Sequence, residues 1–416
     1  MKLHYLLLSP LVIMLCRGQQ LPASVHMTPI RETKLAAVRV EIPEKFKGKI
    51  RDSMVLNVPE GYTAKVFHTG GLSKPRFFAW GPDSVLYVAN KTSGEMIALP
   101  DRDRDGVADT AIVAASGFHN SHDLKFYHGA MYVAEERRVM KCLDTNGDGI
   151  YETQSIFIDS IAKGAQQPGG GHNTRTIVFD EPAHKLYLSI GSSCNVCRED
   201  LRAIIEQYND DGSGRRTFAS GIRNAVGMTM HDGRLWATNN GSDWEGDDIP
   251  PEWIGVVRDG GFYGHPFAYA DGIYFDFNRH EEYRRLLPIT HEDSMRVESM
   301  RPPSALVQAH SAPMAIEFSN SSFPPQFQNG AFVAFRGSWN RSVPTGYKVV
   351  FLKFRNDGDT TAEYVTDVVT GFQPTGSTSQ RTVWGRPVGL AVDHRGNLYI
   401  SSDDITQFIA VISPKR

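Results

Sequence analysis

The sequence lacks the features that assign a chain to several common classes. It has four cysteines in 416 residues, a formal net charge of −3 and no cluster of lysine or arginine. Because nucleic acid and anionic lipid are bound through concentrated positive charge, we exclude both as partners. Helix-forming stretches are short, whereas 38 glycines, 23 prolines and 10% aromatic residues favour an all-β chain of many strands and tight turns.

The chain has one long apolar run, from Tyr5 to Cys16, behind a positive start at Lys2. The run is too short to span a bilayer and is typical of a secretory signal. We therefore expect residues 1–20 to be a signal peptide and the mature chain to be periplasmic or secreted, without a transmembrane segment. A lipid anchor through Cys16 is an open alternative, although Leu15 is a poor residue before such a cleavage site.

Three cysteines remain after the signal peptide: Cys142, Cys194 and Cys197. The last two form a C-x-x-C pair in "SSCNVCRED", and in an oxidising compartment this spacing favours a small disulfide loop. A c-type haem site needs histidine at the next position, where Arg198 stands, and no second pair of thiolates or imidazoles matches a zinc site. Cys142 has no partner in the sequence, so we expect it to be buried.

One short pattern recurs six times: a polar lead-in, an apolar strand, a turn, and a second strand that carries an aromatic residue. The copies begin with "PRFFAWGPDSVLYVAN" (75–90), "HDLKFYHGAMYVAEE" (122–136), "NTRTIVFDEPAHKLYLSIG" (173–191), "RNAVGMTMHDGRLWATNNG" (223–241), "SAPMAIEF" with "NGAFVAFRGS" (311–338), and "GRPVGLAVDHRGNLYISSD" (385–403). Six such units, each of four strands, predict a six-bladed β-propeller.

The aromatic residues of the second strands set the register of the repeats. They are Tyr87, Tyr132, Tyr187, Trp236, Phe332 and Tyr399. The longest step lies between the fourth and the fifth and predicts an insertion of about residues 244–303 after the inner strands of the fourth blade. Long insertions on a propeller face carry function or assembly contacts. We expect residues 21–58 to form an N-terminal arm and residues 59–416 to form the propeller.

Two acidic turns in consecutive blades imitate the start of a calcium-binding loop. Residues 101–109 ("DRDRDGVAD") and 144–152 ("DTNGDGIYE") have acidic or amide residues at positions 1, 3 and 5 and glycine at position 6. Position 12 is Ile112 or Ser155 instead of the bidentate glutamate. Two interpretations stay open: weak calcium sites, or hairpin turns capped by aspartate side chains.

The first strand of every propeller blade begins at the mouth of the central channel, so we expect the six lead-ins to converge on one cavity. The candidates are Arg76, the stretch His119–His122, His172 with Arg175, Arg223 with Asn224, His310 with Ser311, and Arg386, joined by Arg336 from "AFRGSWNR". Several arginines with few carboxylates favour a ligand with several carboxylates, since guanidinium groups bind carboxylates in bidentate fashion. A metal-dependent lactonase on this fold is expected to show the opposite polarity.

Each candidate also has a structural interpretation. An arginine in a lead-in can bond to strand carbonyls of the next blade, and His122 can be a packing residue. The loop 239–249 ("NNGSDWEGDDI") can present the carbonyls of Gly241 and Ser242 to calcium, or it can be an ordinary polar loop. His172 differs from these, because the three glycines before it remove side-chain cover and have no evident packing purpose, so we interpret it as functional.

The chain resembles the soluble pyrroloquinoline-quinone (PQQ) sugar dehydrogenases, in particular the sorbosone dehydrogenase-like and soluble aldose sugar dehydrogenases. The matching pieces, in the family's order across about residues 60–413, are "PRFFAWGPDSVLYV", "GGGHNTRTIVFD", "KLYLSIGSSCNVC", "FASGIRNAVGMTM", "NNGSDWEGDDI", "GGFYGHP" and "GRPVGLAVDHRGNLYIS". The ordered set is specific, whereas the last piece alone is common to many propellers. The resemblance implies PQQ and calcium as cofactors.

The resemblance also implies a role for each matching residue. His172 matches the general base that takes the proton from the C1 hydroxyl of a sugar while hydride passes to the quinone, and a neutral imidazole near its own pKa suits that task. Arg223 and Asn224 match the pair that contacts the quinone and its carboxylate, which gives Arg223 a catalytic role as well. The other matches are Gly241 and Ser242 as carbonyl ligands of calcium, Arg386 and Arg336 as carboxylate-binding residues, and Tyr263 as an aromatic near the cofactor plane. Arg76 joins the cofactor-binding set through its place at the channel mouth.

We therefore expect a PQQ- and calcium-dependent dehydrogenase that oxidises an aldose or related sugar aldehyde and passes electrons to a separate acceptor. Two other hypotheses stay open: a non-catalytic propeller that binds carbohydrate or a protein partner, and a metal-dependent lactonase or lyase. The second lead-in, "GFHNSHDLKF", and the insertion depart from the glucose enzymes of the family. The sequence therefore leaves the substrate open.

Overall fold

The computed structural model describes residues 21–163 and 171–415. The predicted signal peptide with Cys16 lies outside the described residues, as do the first two glycines of "GGGH". Within the described part, no helix is both long and apolar enough to cross a membrane.

Six blades, each with four antiparallel strands, form the body of the molecule and confirm the predicted six-bladed β-propeller. The sheet of the third blade gains a fifth, parallel strand from the insertion, Gly261–Phe262. An N-terminal pair, β1 (Leu35–Arg39) and β2 (Val55–Pro59), precedes β3 (Tyr62–Thr69). The first blade contains β4 (Pro75–Trp80), β5 (Leu86–Asn90), β6 (Glu95–Leu99) and β7 (Ile112–Ser116). The second contains β8 (Asp123–Tyr127), β9 (Ala130–Ala134), β10 (Val139–Leu143) and β11 (Thr153–Ile158). The third contains β12 (Ile177–Asp180), β13 (Lys185–Ile190), β14 (Ile204–Asn209) and β15 (Arg216–Ser220).

The fourth blade is interrupted by an insertion. It begins with β16 (Ala225–His231), β17 (Arg234–Asn239) and β18 (Glu252–Val257). The insertion follows, with β19 (Gly261–Phe262), β20 (Ala268–Tyr269), β21 (Ile273–Tyr274), α1 (Glu281–Arg284) and α2 (His291–Glu298), and β22 (Ala305–Val307) then completes the blade. The predicted insertion is confirmed, but it starts after β18 rather than at residue 244, because "EWIGVV" pairs with β17 as the third strand.

The last two blades and the closure complete the ring. The fifth blade contains β23 (Pro313–Phe318), β24 (Gly330–Phe335), β25 (Lys348–Lys353) and β26 (Tyr364–Val369). The sixth contains β27 (Pro387–Val392), β28 (Leu398–Ser402) and β29 (Phe408–Pro414), and its outer strand is β3 from the other end of the chain. Short 3-10 helices occupy Glu44–Phe46, Pro325–Phe327 and Gln380–Thr382. This pairing of β29 with β3 closes the propeller with hydrogen bonds between strands far apart in sequence.

The first strands of the blades, β4, β8, β12, β16, β23 and β27, contact one another in that order around the axis. Two glycines show how closely they approach. A Cβ on Gly227 in β16 would lie 2.0 Å from the carbonyl oxygen of Met314, and one on Gly389 in β27 would lie 2.1 Å from that of Arg76. The repeated "VG" of these strands is therefore a packing requirement.

The six register aromatics lie in the second strands and are buried between blades. The ring of Tyr399 in β28 contacts that of Trp80 in the next blade, and Trp236 in β17 contacts Phe318 and Phe354 in the fifth blade. Buried aromatic contacts of this kind fix the angle between neighbouring sheets. The repeat pattern therefore encodes both the strands and the packing between them.

The structure confirms the predictions for the cysteines but leaves open whether the acidic turns bind calcium. Cys194 and Cys197 form the predicted disulfide, and Cys142 is free and buried. In the first acidic turn the carboxylate of Asp101 accepts hydrogen bonds from the amides of Asp105 and Gly106, as expected of a capped hairpin turn. Calcium binding at these turns stays a prediction, although Asp101, Asp103 and Asp105 place carboxylate oxygens within 4.8 Å of one another.

Candidate active site

A cavity of about 280 Å³ lies where the first strands of the blades begin. Its wall is built from lead-ins to β4, β16, β23 and β27, from the loop before β12, and from loops after β17 and β24. The lining residues are Arg76, Gly171, His172, Asn173, Thr174, Arg223, Asn224, Val226, Asn240, Gly241, Asp243, Glu252, His310, Ala312, Met314, Arg336, Gly337, Trp339, Asn340 and Arg386. Residues separated by more than 300 positions therefore share one pocket.

Most of the predicted site residues line this cavity, but the second blade contributes none. His122 is fully buried, its Nδ1 accepts a hydrogen bond from Nε of Arg76 at 3.0 Å, and its ring packs against Phe77. Arg175 is also buried, and it donates to the backbone carbonyls of His172 and Thr174. His122 is thus a packing residue in this structure, whereas Arg175 bonds to carbonyls of its own lead-in rather than of the next blade.

Ser242 and Tyr263 do not line the main cavity. Together with Gly241 and Arg223 they line a separate pocket of about 20 Å³ behind its wall. The Tyr263 hydroxyl donates to the carbonyl of Val256, and its ring stacks on that of Trp253. The structure thus does not bring the predicted aromatic into the cavity that holds the other candidates.

His172 presents one ring nitrogen to the cavity. Its Nδ1 lies 2.7 Å from the carbonyl oxygen of Ser192, which can only accept, so Nδ1 carries the proton and Nε2 keeps its lone pair. Burial, and next the positive charge of Arg223, lower the pKa of His172 to about 3. The expectation of a pKa near neutrality is therefore wrong for this structure, and the imidazole is neutral at physiological pH.

Gly171, the one glycine of the "GGG" run that the structure describes, has a packing purpose that the sequence did not reveal. Gly171 has φ of +61°, and a Cβ there would lie 2.4 Å from the carbonyl oxygen of Ser193. A Cβ on Gly191 would lie 2.6 Å from Oδ1 of Asn224 and 2.7 Å from Cβ of His172. Glycine at position 191 lets His172 and Asn224 lie side by side, and glycine at position 171 lets the backbone before His172 approach that of Ser193.

Arg223 is held by a complete set of acceptors. Its Nε donates to the carbonyl of Asn195 at 2.9 Å, Nη1 donates to the carbonyls of Asn240 at 3.4 Å and Gly241 at 2.6 Å, and Nη2 donates to Asn195 Oδ1 and Asp243 Oδ2, both at 3.1 Å. All five guanidinium N–H groups have partners, so Arg223 fixes the loop that carries Gly241. The neighbouring Asn224 side chain makes no hydrogen bond within the described residues and remains available to a ligand.

Two carboxylates that the sequence analysis did not single out line the same side of the cavity. Asp243 accepts from Arg223 and, at 2.5 Å, from Asn340 Nδ2. Glu252 is buried and accepts from the amide of Gly241 at 2.5 Å. Burial raises the pKa of Glu252 to about 8, although the Gly241 amide and Arg223 oppose this shift. Burial also raises the pKa of Asp243 against the attraction of Arg223.

Arg76, Arg336 and Arg386 form a second cluster around Asp403, on the opposite side of the ring. Arg76 Nη1 and Arg336 Nε both donate to the carboxylate of Asp403. Arg386 donates to the carbonyls of Arg336 and Gly337. Burial tends to raise the pKa of Asp403, but Arg76 and Arg336 outweigh it and lower that pKa. The sequence analysis missed Asp403, because it follows the second strand of its blade rather than a lead-in.

The charge of the arginine cluster is only partly neutralised by protein carboxylates. The sequence-based expectation of an anionic ligand therefore applies to the remaining donors alone. Within the described residues, Nη2 of Arg76, Nη1 of Arg336 and Nη1 of Arg386 make no hydrogen bond. Burial lowers the pKa of Arg386, and the charge of Arg336 adds to that effect. The three guanidinium groups face two carboxylates, Asp403 and the half-exposed Asp404, which lies 3.4 Å from Arg336 and 3.9 Å from Arg386. One positive charge is therefore left over, together with donor capacity for a further anion.

Comparison with known proteins reveals relatives in sequence and in fold. A family model described as "Domain of unknown function (DUF7133)" matches residues 51–336, and a "TrAA12-like" model matches residues 260–415. A curated relative, an uncharacterized protein from Borreliella burgdorferi, is 26% identical over 360 residues, which are 84% of this chain and 88% of the relative.

Solved structures share the fold at low sequence identity. The AA12 carbohydrate-active enzyme of Trichoderma reesei is 20% identical with a TM-score of 0.70, covering 86% of this chain and 97% of the other. The PQQ domain of pyranose dehydrogenase from Coprinopsis cinerea is 19% identical with a TM-score of 0.68, covering 89% and 98%. The PQQ-bound aldose sugar dehydrogenase of Streptomyces coelicolor is 16% identical with a TM-score of 0.58, covering 86% and 99%.

The likenesses to solved structures establish the fold, and the family model that covers most of the chain establishes the family. The fold is the one found in the PQQ-binding sugar dehydrogenases and AA12 enzymes, as the sequence resemblance predicted. The chain belongs to the family defined by the domain of unknown function DUF7133, built on that six-bladed propeller.

Proposed function

We propose that the protein is a PQQ-dependent dehydrogenase that oxidises a sugar at C1 to its lactone or acid. The observation that carries the proposal is the pairing, in one cavity, of an imidazole lone pair at His172 with an arginine cluster that keeps free donors. Relatives in fold are described as PQQ-bound sugar dehydrogenases, which supports the choice of cofactor.

PQQ is a planar tricarboxylate, and the donor chemistry of the cavity suits it. Arg76, Arg336 and Arg386 offer guanidinium groups to its carboxylates, and the unpaired amide of Asn224 offers a further donor. When bound, PQQ supplies the two-electron acceptor for the hydride from the sugar. A bound tricarboxylate would also add negative charge to the cavity, which favours the protonated form of His172 and opposes the lowering of its pKa.

In this proposal His172 accepts the proton of the C1 hydroxyl at Nε2. The hydrogen bond from Nδ1 to Ser192 fixes the tautomer and the ring plane. The backbone of His172 is held as well, since its amide donates to Ser192 and its carbonyl accepts from Arg175 and Arg202. Arg223 acts by position: it holds the Gly241 loop and adds positive charge beside the reacting oxygen.

The arrangement of Arg223 and Ser242 does not favour calcium at the carbonyls of Gly241 and Ser242. The Gly241 carbonyl accepts from the Arg223 guanidinium at 2.6 Å, and Ser242 lies behind the cavity wall. Calcium would have to displace Arg223 from that carbonyl, although Asp243 and Glu252 supply hard oxygen atoms on the same wall. We derive no step through the ion.

The first test is a titration of the purified full chain with PQQ, with and without calcium, followed by dye reduction with a panel of aldoses. We expect near-stoichiometric PQQ binding and sugar-dependent dye reduction, and the comparison with EDTA-treated protein tests whether calcium takes part. His172→Gln is expected to lower turnover by about 10²- to 10⁴-fold with PQQ binding retained, because only the base is removed. The half-exposed Arg234→Ala, which lies outside the cavity, is the control.

Two outcomes contradict the proposal. Absence of PQQ binding under both conditions favours the non-catalytic carbohydrate- or partner-binding propeller. Metal-dependent lactone hydrolysis without PQQ favours the lactonase, a candidate that the carboxylates of Asp243 and Glu252 in the cavity make worth testing. Turnover unchanged in His172→Gln removes that residue from the mechanism.

The proposal also includes a separate electron acceptor and a periplasmic or secreted location. Mass spectrometry of the exported chain distinguishes cleavage after about residue 20 from a chain that begins at a lipidated Cys16.

A further inference from the structure

Two tryptophan side chains are exposed at the rim of the cavity. Trp339 lines the cavity and its side chain is 59% exposed, while Trp244 is 48% exposed. Their rings meet nearly perpendicularly, with centroids 5.6 Å apart, and the ring of His280 stacks on Trp244. A pair of exposed indoles is costly in water, and such adjacent apolar surface marks a binding site.

The backbone at Trp244 supports a functional interpretation. Trp244 has φ of +77°, a left-handed conformation that is unfavourable for a bulky side chain. Such conformations persist only where the surrounding structure imposes them, and they cluster at functional sites.

The loops that carry the two indoles are bound to each other. Asn340, next to Trp339, donates to the carboxylate of Asp243, next to Trp244, at 2.5 Å. Arg341 donates to the carbonyl of Asp247 at 2.6 Å. The rim is therefore preorganised between the fourth and fifth blades.

The insertion fixes the same rim from the other side. The Tyr283 hydroxyl of α1 lies 2.8 Å from Ser242 Oγ and 2.8 Å from the carbonyl oxygen of Asp243. Glu282 accepts from the side chain of Asn195 at 2.7 Å. One role of the insertion is thus to hold Trp244 in place.

We propose that Trp244 and Trp339 form a stacking platform for a second sugar ring, so that the substrate is the reducing end of an oligosaccharide. This inference rests on the proposed function, because oxidation at C1 requires a free reducing end in the cavity. The next ring of the chain then lies at the rim, where the indoles are.

The chemistry of the rim favours a sugar over a flat aromatic electron acceptor. A pyranose has an apolar C–H face and polar edges, which match an indole face bordered by hydrogen-bonding groups. The imidazole of His280 provides a polar group next to Trp244, whereas Asn340 and Arg341 fix the loop of Trp339 through hydrogen bonds to Asp243 and Asp247.

The test measures binding and turnover separately on the full chain. Calorimetry with glucose, cellotriose and maltotriose is carried out on wild type, Trp244→Ala, Trp339→Ala and the conservative Trp339→Phe, with Trp80→Ala as a control tryptophan outside the rim. We expect wild type to bind one trisaccharide about tenfold or more tighter than glucose. Each alanine variant should lose most of that preference, while Trp339→Phe and Trp80→Ala should keep it.

Dye reduction by the PQQ-loaded protein then separates the two proposals. We expect a lower KM for the trisaccharide than for glucose in wild type, and near-equal values in the alanine variants. A trisaccharide preference in calorimetry without PQQ-dependent turnover keeps the platform and removes the proposed function. Equal affinities in wild type, or a preference that survives both alanine substitutions, overturns the platform. If the alanine variants keep the trisaccharide preference but reduce a quinone acceptor more slowly than wild type, the indoles bind the acceptor. This result also overturns the sugar platform.

Discussion

The two sides of the cavity use arginine in opposite ways. On the side of the fourth blade, Arg223 gives all five N–H groups to protein acceptors. On the side of the first and sixth blades, Arg76, Arg336 and Arg386 gather around Asp403, and each has one terminal nitrogen with no hydrogen bond within the described residues. The difference teaches that a count of arginines does not measure anion affinity, because a saturated guanidinium is part of the scaffold.

The largest expected effect is on stability, in Arg223→Ala. The substitution leaves the buried Asp243 without its ion-pair partner and frees the loop of Gly241, so we expect the free energy of unfolding to fall by about 3–5 kcal/mol. Urea unfolding of the variant against wild type measures it. A loss below about 1 kcal/mol would show that the loop is held by other contacts and would remove the contrast between the two sides.

The next effect is on affinity, in Arg336→Ala. Asp403 keeps Arg76 as a partner, so stability should change little, whereas PQQ affinity should fall by about 10- to 100-fold, as expected for a lost hydrogen bond to a charged group. A PQQ titration provides the measurement, with Arg336→Lys to separate charge from the planar guanidinium. Unchanged affinity in Arg336→Ala would place the cofactor carboxylates elsewhere.

Loss of the disulfide should lower stability only on the side of the cavity that contains Arg223, whose N–H groups all have protein acceptors. It closes the turn that carries Asn195, whose carbonyl and side chain accept from Arg223. In the double variant Cys194→Ser, Cys197→Ser we expect a loss of at most about 2 kcal/mol, since the closed loop is short. Thermal unfolding tests the loss, and a PQQ affinity that falls together with stability would contradict the separation of the two sides.

The last prediction concerns the protonation of His172, for which we expect no change over the accessible pH range. Since the pKa of His172 is lowered to about 3, NMR of its ring should show no change from pH 8 to pH 5 in the cofactor-free protein. The folded pKa lies below the unfolded value of about 6.5, so this group stabilises the fold above that pH, and the contribution is lost as the pH falls towards 3. His172→Gln identifies the signal, and a midpoint near 6.5 would contradict the burial and charge argument.

The inner strands of the propeller were predictable from the sequence for a physical reason. Each blade repeats a strand, a turn and an aromatic second strand, and this pattern is local along the chain. The third strand of the fourth blade, β18, was assigned to the insertion, because it follows an irregular loop instead of a short turn. The outer strand of the last blade was missed as well, since β3 comes from the other end of the sequence.

The site residues were predictable where they stand in a lead-in, as His172, Arg223 and Arg386 do. Asp403, Asp243 and Glu252 were missed, because their importance depends on partners that are distant in the sequence. The packing role of Gly171 was missed for the same reason, since it depends on a contact with Ser193, which is 22 positions away.

The sequence by itself determined the repeat, the disulfide pair and the residue types that gather at the channel mouth, because each depends on local spacing. Only the tertiary structure decided which arginine is saturated, which nitrogen of His172 carries the proton, and that two tryptophans share the rim. Those properties arise from hydrogen bonds and ring contacts between blades, and closure of the propeller is what brings the partners together.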